Sequence, residues 1–280
     1  MAPLYQKALI IGATSGIGEA LAAKLLSTGT SVIITGRRQD RLDAFVSQRS
    51  NSSTSDSVTL SAVPLDITDL NSLPTFASSI AKEHPTLDCI ILNSGIQRGF
   101  DFARPSTVDL ATFDEELTTN YISFVHLVTA FLPQLQKTAK EEGKETHLVF
   151  IGASLGLVPS LVRTPGYNAS KAALHSWIMN LRQQLKDNGD SIRVVEVFPP
   201  AVQTELHDEK HQPHLKNGGE IGMPLADFID QTYTELEKGD EQFAIGPAAE
   251  WLQSGFEAER QKMFQQQQGA IKTALAKYMK

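Results

Sequence analysis

Short apolar runs alternate along most of the chain with longer stretches of helical period. Lys7–Ile11, Val32–Thr35, Val58–Val63, Cys89–Leu92, His147–Ile151 and Arg193–Phe198 are rich in Val, Ile, Leu and Phe. Their length and near-continuous apolarity predict strands buried on both faces. Between them, Gly16–Thr28, Arg38–Ser47, Asp69–Lys82, Thr112–Gln136 and Tyr167–Asp187 gather their apolar residues into one stripe and predict amphipathic helices. Strands that alternate with helices imply right-handed crossovers and an α/β fold with a doubly wound parallel sheet, flanked by helices. Ligands of such sheets sit at the carboxyl ends of the strands.

Beyond Phe198 this rhythm stops. His207–Gly219 is polar, with two glycines and one proline, and suits a loop that orders over a ligand. Pro224–Glu237 predicts another helix and Phe243–Ile245 a last short strand, about seven strands in all, while Ala248–Lys280 has helical composition. We read residues 1–280 as one unit, with 205–280 forming a substrate lid and a helical extension within it. Ser50–Ser57 is small and polar, with nothing to bury, and predicts a surface loop.

Composition narrows the function classes. At 41% hydrophobic and 20% charged residues, the 280-residue chain reads as a soluble globular protein. A formal charge of −7 and a pI near 5.5 argue against nucleic-acid or anionic-membrane partners. Cys89, the single cysteine, excludes an intrachain disulfide and falls in an apolar strand, where burial is expected. No secretory leader and no apolar stretch of spanning length are evident, so the expected location is cytoplasmic.

The candidate chemistry begins at the end of the first strand, Ile11-Gly12-Ala13-Thr14-Ser15-Gly16-Ile17-Gly18. Glycines permit positive φ and close backbone approach, and the helix that follows presents unpaired N–H groups, so the turn suits a phosphate. Downstream, Tyr167 and Lys171 are four apart and share a helix face, with Ser154 and Asn120 on preceding segments.

These motifs resemble the short-chain dehydrogenase/reductase family, whose loop has the Gly-x-x-x-Gly-x-Gly spacing of Gly12, Gly16 and Gly18. Asp66-Ile67 stands where the family holds adenine, and Asn93-Ser94-Gly95 where it has Asn-Asn-Ala-Gly. Asn120, Ser154 and Tyr167-x-x-x-Lys171 match its catalytic set, and Pro199-Pro200-Ala201-Val202-Gln203-Thr204 its nicotinamide loop. The phrases around Asn93–Arg98, Pro199–His207 and Met223–Leu225 are similar to a DltE-like branch. The resemblance implies a Rossmann-type fold, a nicotinamide cofactor bound through Gly12, Thr14, Ser15, Gly16, Ile17, Gly18, Pro199, Val202 and Thr204, and a small carbonyl or alcohol substrate. It also implies that a homodimer or homotetramer is possible. The chain departs from the pattern at Ile11, Leu92 and Pro200, where the family has threonine, asparagine and glycine.

A tyrosine is a poor base near neutrality, and the expectation is that Lys171 and the nicotinamide charge lower the Tyr167 pKa. Ser154 is expected to hold the carbonyl oxygen, and Asn120 to position a water beside Lys171. The second strand ends in Thr35-Gly36-Arg37-Arg38, with no acid before Asp40. NAD-specific folds place a carboxylate there for the ribose hydroxyls, so Arg37 and Arg38, with Ser15, predict NADPH/NADP+ in preference to NADH. His207 and His211 are four apart, but Pro213 intervenes before His214; a solvated loop rather than a metal site is expected. Two alternatives remain beside an enzyme, a silent nucleotide-binding sensor and a Rossmann-like methyltransferase.

Overall fold

The computed structural model describes residues 2–49 and 58–278. The expected loop at Ser50–Ser57 lies outside the described residues. In chain order the main elements are β1 (Lys7–Ile11), α1 (Gly16–Ser27), β2 (Ser31–Gly36), α2 (Gln39–Arg49), β3 (Leu60–Pro64), α3 (Leu73–Glu83) and β4 (Cys89–Leu92). Then follow α4 (Leu110–Leu117), α5 (Ser123–Glu142), β5 (Thr146–Ile151), α6 (Pro165–Asn188), β6 (Ile192–Phe198), α7 (Leu225–Lys238), β7 (Gln242–Ala244), α8 (Ala249–Gln253) and α9 (Phe256–Leu275).

The seven strands form one parallel sheet in the order β3-β2-β1-β4-β5-β6-β7. Alternation within each strand divides two cores between its faces. Ala8, Ile10, Val32, Ile34, Cys89 and Ile91 meet α1, α2 and α7 through Leu21, Leu25, Phe45, Phe228 and Tyr233. Leu9, Ile11, Ile33, Ile90, Leu92, Leu148 and Phe150 meet α3, α5 and α6 through Ile80, Phe124, Phe131, Leu174 and Ile178. Burial on both faces explains why these strands read as continuous apolar runs. It also explains two departures: Ile11 and Leu92 are partners in register and are 0% exposed, filling core where the family pattern has polar residues.

The chain winds outward from β1 to β3 and then crosses back to β4. The carboxyl ends of β1 and β4 therefore frame a crevice, as at other such switch points. The predicted helix Thr112–Gln136 is interrupted by a π-helical turn at Thr118–Ile122, which joins α4 to α5 and carries Asn120. Asp66-Ile67 lies just past the end of β3, because β3 pairs with β2 only to Pro64. Pro165 at the start of α6 sets that helix two residues earlier than expected and puts Tyr167 in its first turn. Among the described residues no helix is long and apolar enough to cross a membrane.

Candidate active site

A cavity of about 780 Å³ opens at the carboxyl ends of the strands. At one end of it lies the turn after β1. The Gly12 and Ala13 N–H groups donate to the Thr35 carbonyl (3.1 and 2.8 Å), which folds the turn under β2. Gly12 has φ +88°, and a Cβ there would collide with Ser94; one at Gly18 would collide with the Gly12 carbonyl. Asn93 braces this packing, its Nδ2 donating to the Gly12 carbonyl at 2.7 Å. The result is a tight turn at the start of α1, whose first N–H groups have no partner within the helix. Gly12, Thr14, Ser15, Gly16 and Ile17 line the cavity, whereas Gly18 is a close-packing glycine outside it.

The catalytic candidates converge on the same cavity from other elements. Ser154 comes from a short turn after β5, anchored by its N–H to the Pro199 carbonyl (3.0 Å). Tyr167 and Lys171 come from α6, and both side chains are buried. The Lys171 Nζ donates to the Ile151 carbonyl at 2.7 Å and stands 5.7 Å from the centre of the Tyr167 ring. Burial lowers the Lys171 pKa to about 8 against the pull of Glu196. The Tyr167 phenol of the chain alone is pushed up, first by burial and then by the Glu116 carboxylate. Desolvation opposes a phenolate, and the lysine's short contact goes to Ile151 instead.

Asn120 is 0% exposed and lines no part of the cavity. Its Oδ1 accepts from the Ile96 N–H (2.9 Å) and its Nδ2 donates to the Ile96 carbonyl (2.9 Å) and to Ser170 (3.1 Å). It thus ties the loop after β4 to α6. The remaining candidates, Asp66, Ile67, Asn93, Ser94, Gly95, Pro199, Val202 and Thr204, all line the cavity. Val202 pairs with Met223, and this pairing ties the proline loop to the lid.

At the end of β2 the two arginines part. Arg37 points toward Glu115, 3.8 Å away, and is half exposed. Arg38 lies on the glycine turn: Nε and Nη2 donate to Thr14 Oγ1 (3.1 and 2.9 Å) and Nη2 to Ser15 Oγ (2.6 Å).

A family model described as short chain dehydrogenase matches residues 6–214. The chain belongs to this family. The uncharacterized oxidoreductase DltE of Bacillus subtilis is 31% identical over 92% of this chain and 94% of its own length. The short-chain dehydrogenase of Sphingobium yanoikuyae, solved in complex with NADPH, covers 92% of this chain and 95% of its own, at 21% identity and TM-score 0.77. One from Burkholderia phymatum, in complex with NAD, covers 89% and 92% at 19% identity and TM-score 0.76. Membership in the short-chain dehydrogenase family sets the methyltransferase reading aside.

This short-chain dehydrogenase also holds polar groups that motif reading missed. Glu116, one turn before Asn120, is 0% exposed, accepts from the Arg98 N–H at 2.8 Å, and has its pKa raised to about 7, chiefly by burial. In the lid, His207 is buried rather than solvated: its Nδ1 lies 3.1 Å from Gln97 Oε1, which also accepts from Gln212 Nε2 at 2.5 Å. His214 is exposed, and no group of three or more potential ligands for a metal occurs among the described residues. A polar residue on an apolar stripe was the available signal for Glu116. Gln97 and His207 are 110 positions apart, and nothing in the sequence links them.

Proposed function

We propose that the chain is an NADPH-dependent reductase of small carbonyl compounds, with Tyr167 as proton donor and Ser154 and Lys171 beside it. The observation that carries this reading is that the three side chains and the glycine cradle open into one cavity. The cradle fits a dinucleotide, since Gly12 and Gly16, at φ +88° and +57°, line the cavity at the start of α1, whose first N–H groups have no partner within the helix. Gly12, Thr14, Ser15, Gly16 and Ile17 would hold the pyrophosphate, Asp66 and Ile67 the adenine, and Asn93, Ser94, Gly95, Pro199, Val202 and Thr204 the nicotinamide half. When bound, the cofactor supplies the hydride.

Tyr167 then donates its phenolic proton to the carbonyl oxygen, which Ser154 orients. With its pKa pushed up, Tyr167 carries the proton that the reduction direction requires. Lys171 keeps a cation close to the ring and to the ribose. Asn120 acts indirectly, by fixing the Ile96 loop against α6. A silent sensor is not favoured, because the full set of proton-transfer groups is assembled.

The preference for the 2′-phosphate rests on Arg38, held by Thr14 and Ser15 at the cleft. A charge-assisted hydrogen bond contributes about 1.5–3 kcal/mol, or about 10- to 100-fold in discrimination, and salt should narrow it at a half-exposed site. The test is a screen of aldehydes, ketones and diketones by NADPH absorbance, followed by kcat/KM with NADPH and NADH in the parent, Arg38→Ala and Arg37→Asp. The parent should prefer NADPH and Arg38→Ala should lose most of that preference. Equal use of both cofactors by the parent would contradict the assignment.

A further inference from the structure

The lid begins with an acid that reaches back across the cleft. Glu205 follows Thr204 directly, opens a short helical turn, and lies 167 positions from Arg38 in sequence. Its Oε2 accepts from Arg38 Nη1 at 2.7 Å and its Oε1 from Arg41 Nη2 at 2.9 Å. The opposite edge of the Arg38 guanidinium is occupied by Thr14 and Ser15 of the glycine turn. One oxyanion thus receives two converging guanidinium groups beside the turn, the arrangement a phosphate monoester takes.

We propose that Glu205 is a specificity-determining residue, which competes with the 2′-phosphate of the dinucleotide for Arg38 and Arg41. The inference rests on the NADPH reading above. β2 ends without the acid that would receive ribose hydroxyls, and the carboxylate that meets Arg38 and, on α2, Arg41 comes from the lid instead. Burial works to raise the Glu205 pKa, but Arg38 and Arg41 outweigh it, so the group stays anionic at neutral pH. A dianionic phosphate entering the same guanidinium pair displaces this charge and is repelled by it. An unphosphorylated ribose makes no claim on the pair. Displacement also frees the first turn of the lid, which makes cofactor identity felt at residues 205–222.

The test measures Kd for NADPH and NADH by nucleotide fluorescence in the parent, Glu205→Gln and Glu205→Asp. Both ion pairs are partly exposed, so the expected effect is moderate. Glu205→Gln should tighten NADPH by about 3- to 30-fold and leave NADH within about twofold, while Glu205→Asp stays near the parent. An unchanged NADPH-to-NADH ratio, or weakened binding of both, overturns the proposal; the second result would make Glu205 a clasp over any dinucleotide. The parent's own ratio judges the NADPH reading separately, because the proposal concerns how the ratio moves. A second measurement needs no variant: 2′,5′-ADP should speed hydrogen exchange in the 205–222 segment and 5′-AMP should not. Equal effects of the two nucleotides count against the competition.

Discussion

Replacing His175 with glutamine removes the shared cation of a buried three-member cluster. His175 on α6 has Nδ1 2.7 Å from Glu196 Oε2 on β6 and Nε2 3.0 Å from Glu257 Oε1 on α9, with side-chain exposures of 1%, 1% and 0%. Burial opposes the imidazolium, but the two carboxylates outweigh it and raise His175 from 6.5 to about 9. At 1.36 kcal/mol per unit of pH, that interval is worth about 3 kcal/mol. The folded protein holds more protons than the unfolded chain between about pH 6.5 and 9. The contribution is therefore complete below pH 6.5 and is lost as pH rises through 9. Urea unfolding from pH 6 to 9.5 should show the parent losing about 3 kcal/mol more than His175→Gln across this window. Below pH 6.5 the variant should be less stable by about 3 kcal/mol, because Glu196 and Glu257 lose the imidazolium between them, while Arg260 still pairs with Glu257 at 3.1 Å. Glu257 belongs to α9, so proteolysis near the C-terminus should also quicken. Parallel pH profiles, offset by a constant, would refute the reasoning.

Two further outcomes are expected. Lys171→Ala should weaken NADPH binding and lower turnover together, and a fluorescence titration with unchanged affinity would count against its dual role. Glu116 has a folded pKa raised to about 7, so its stability contribution is present below about 4.5 and is lost as pH rises through 7, by up to about 3 kcal/mol. Glu116→Gln keeps an acceptor for the Arg98 N–H and should be the more stable protein at pH 8 in thermal unfolding; a less stable variant would contradict the cost assigned to the buried carboxylate.

What was legible in the sequence follows from what each element buries. β1 and β4 match their predicted bounds, because residues enclosed on both faces leave uninterrupted apolar runs. The π turn at Thr118–Ile122 was not legible: inserting one residue into a helical turn shifts the apolar stripe too little to see over a single turn. Local motifs such as Tyr167 and Lys171 could be found by spacing, since one helix sets their geometry. Arg38 with Glu205, and His175 with Glu257, are joined only by tertiary packing, and polar partners so far apart in the chain leave no periodic trace. The upward push on the Tyr167 phenol has the same origin, as it comes from enclosure and from Glu116 rather than from the four-residue step to Lys171.

The central claim is that Tyr167 transfers the proton, and Tyr167→Phe tests it most directly, because the ring keeps its packing and loses only the hydroxyl. Parent and variant are compared for kcat with the best carbonyl compound from the screen and for NADPH affinity by fluorescence titration. The account predicts a fall in kcat of about 10²- to 10⁴-fold, as for a lost positioned proton donor, with Kd for NADPH within about twofold. A variant whose kcat stays within a few-fold of the parent would contradict it.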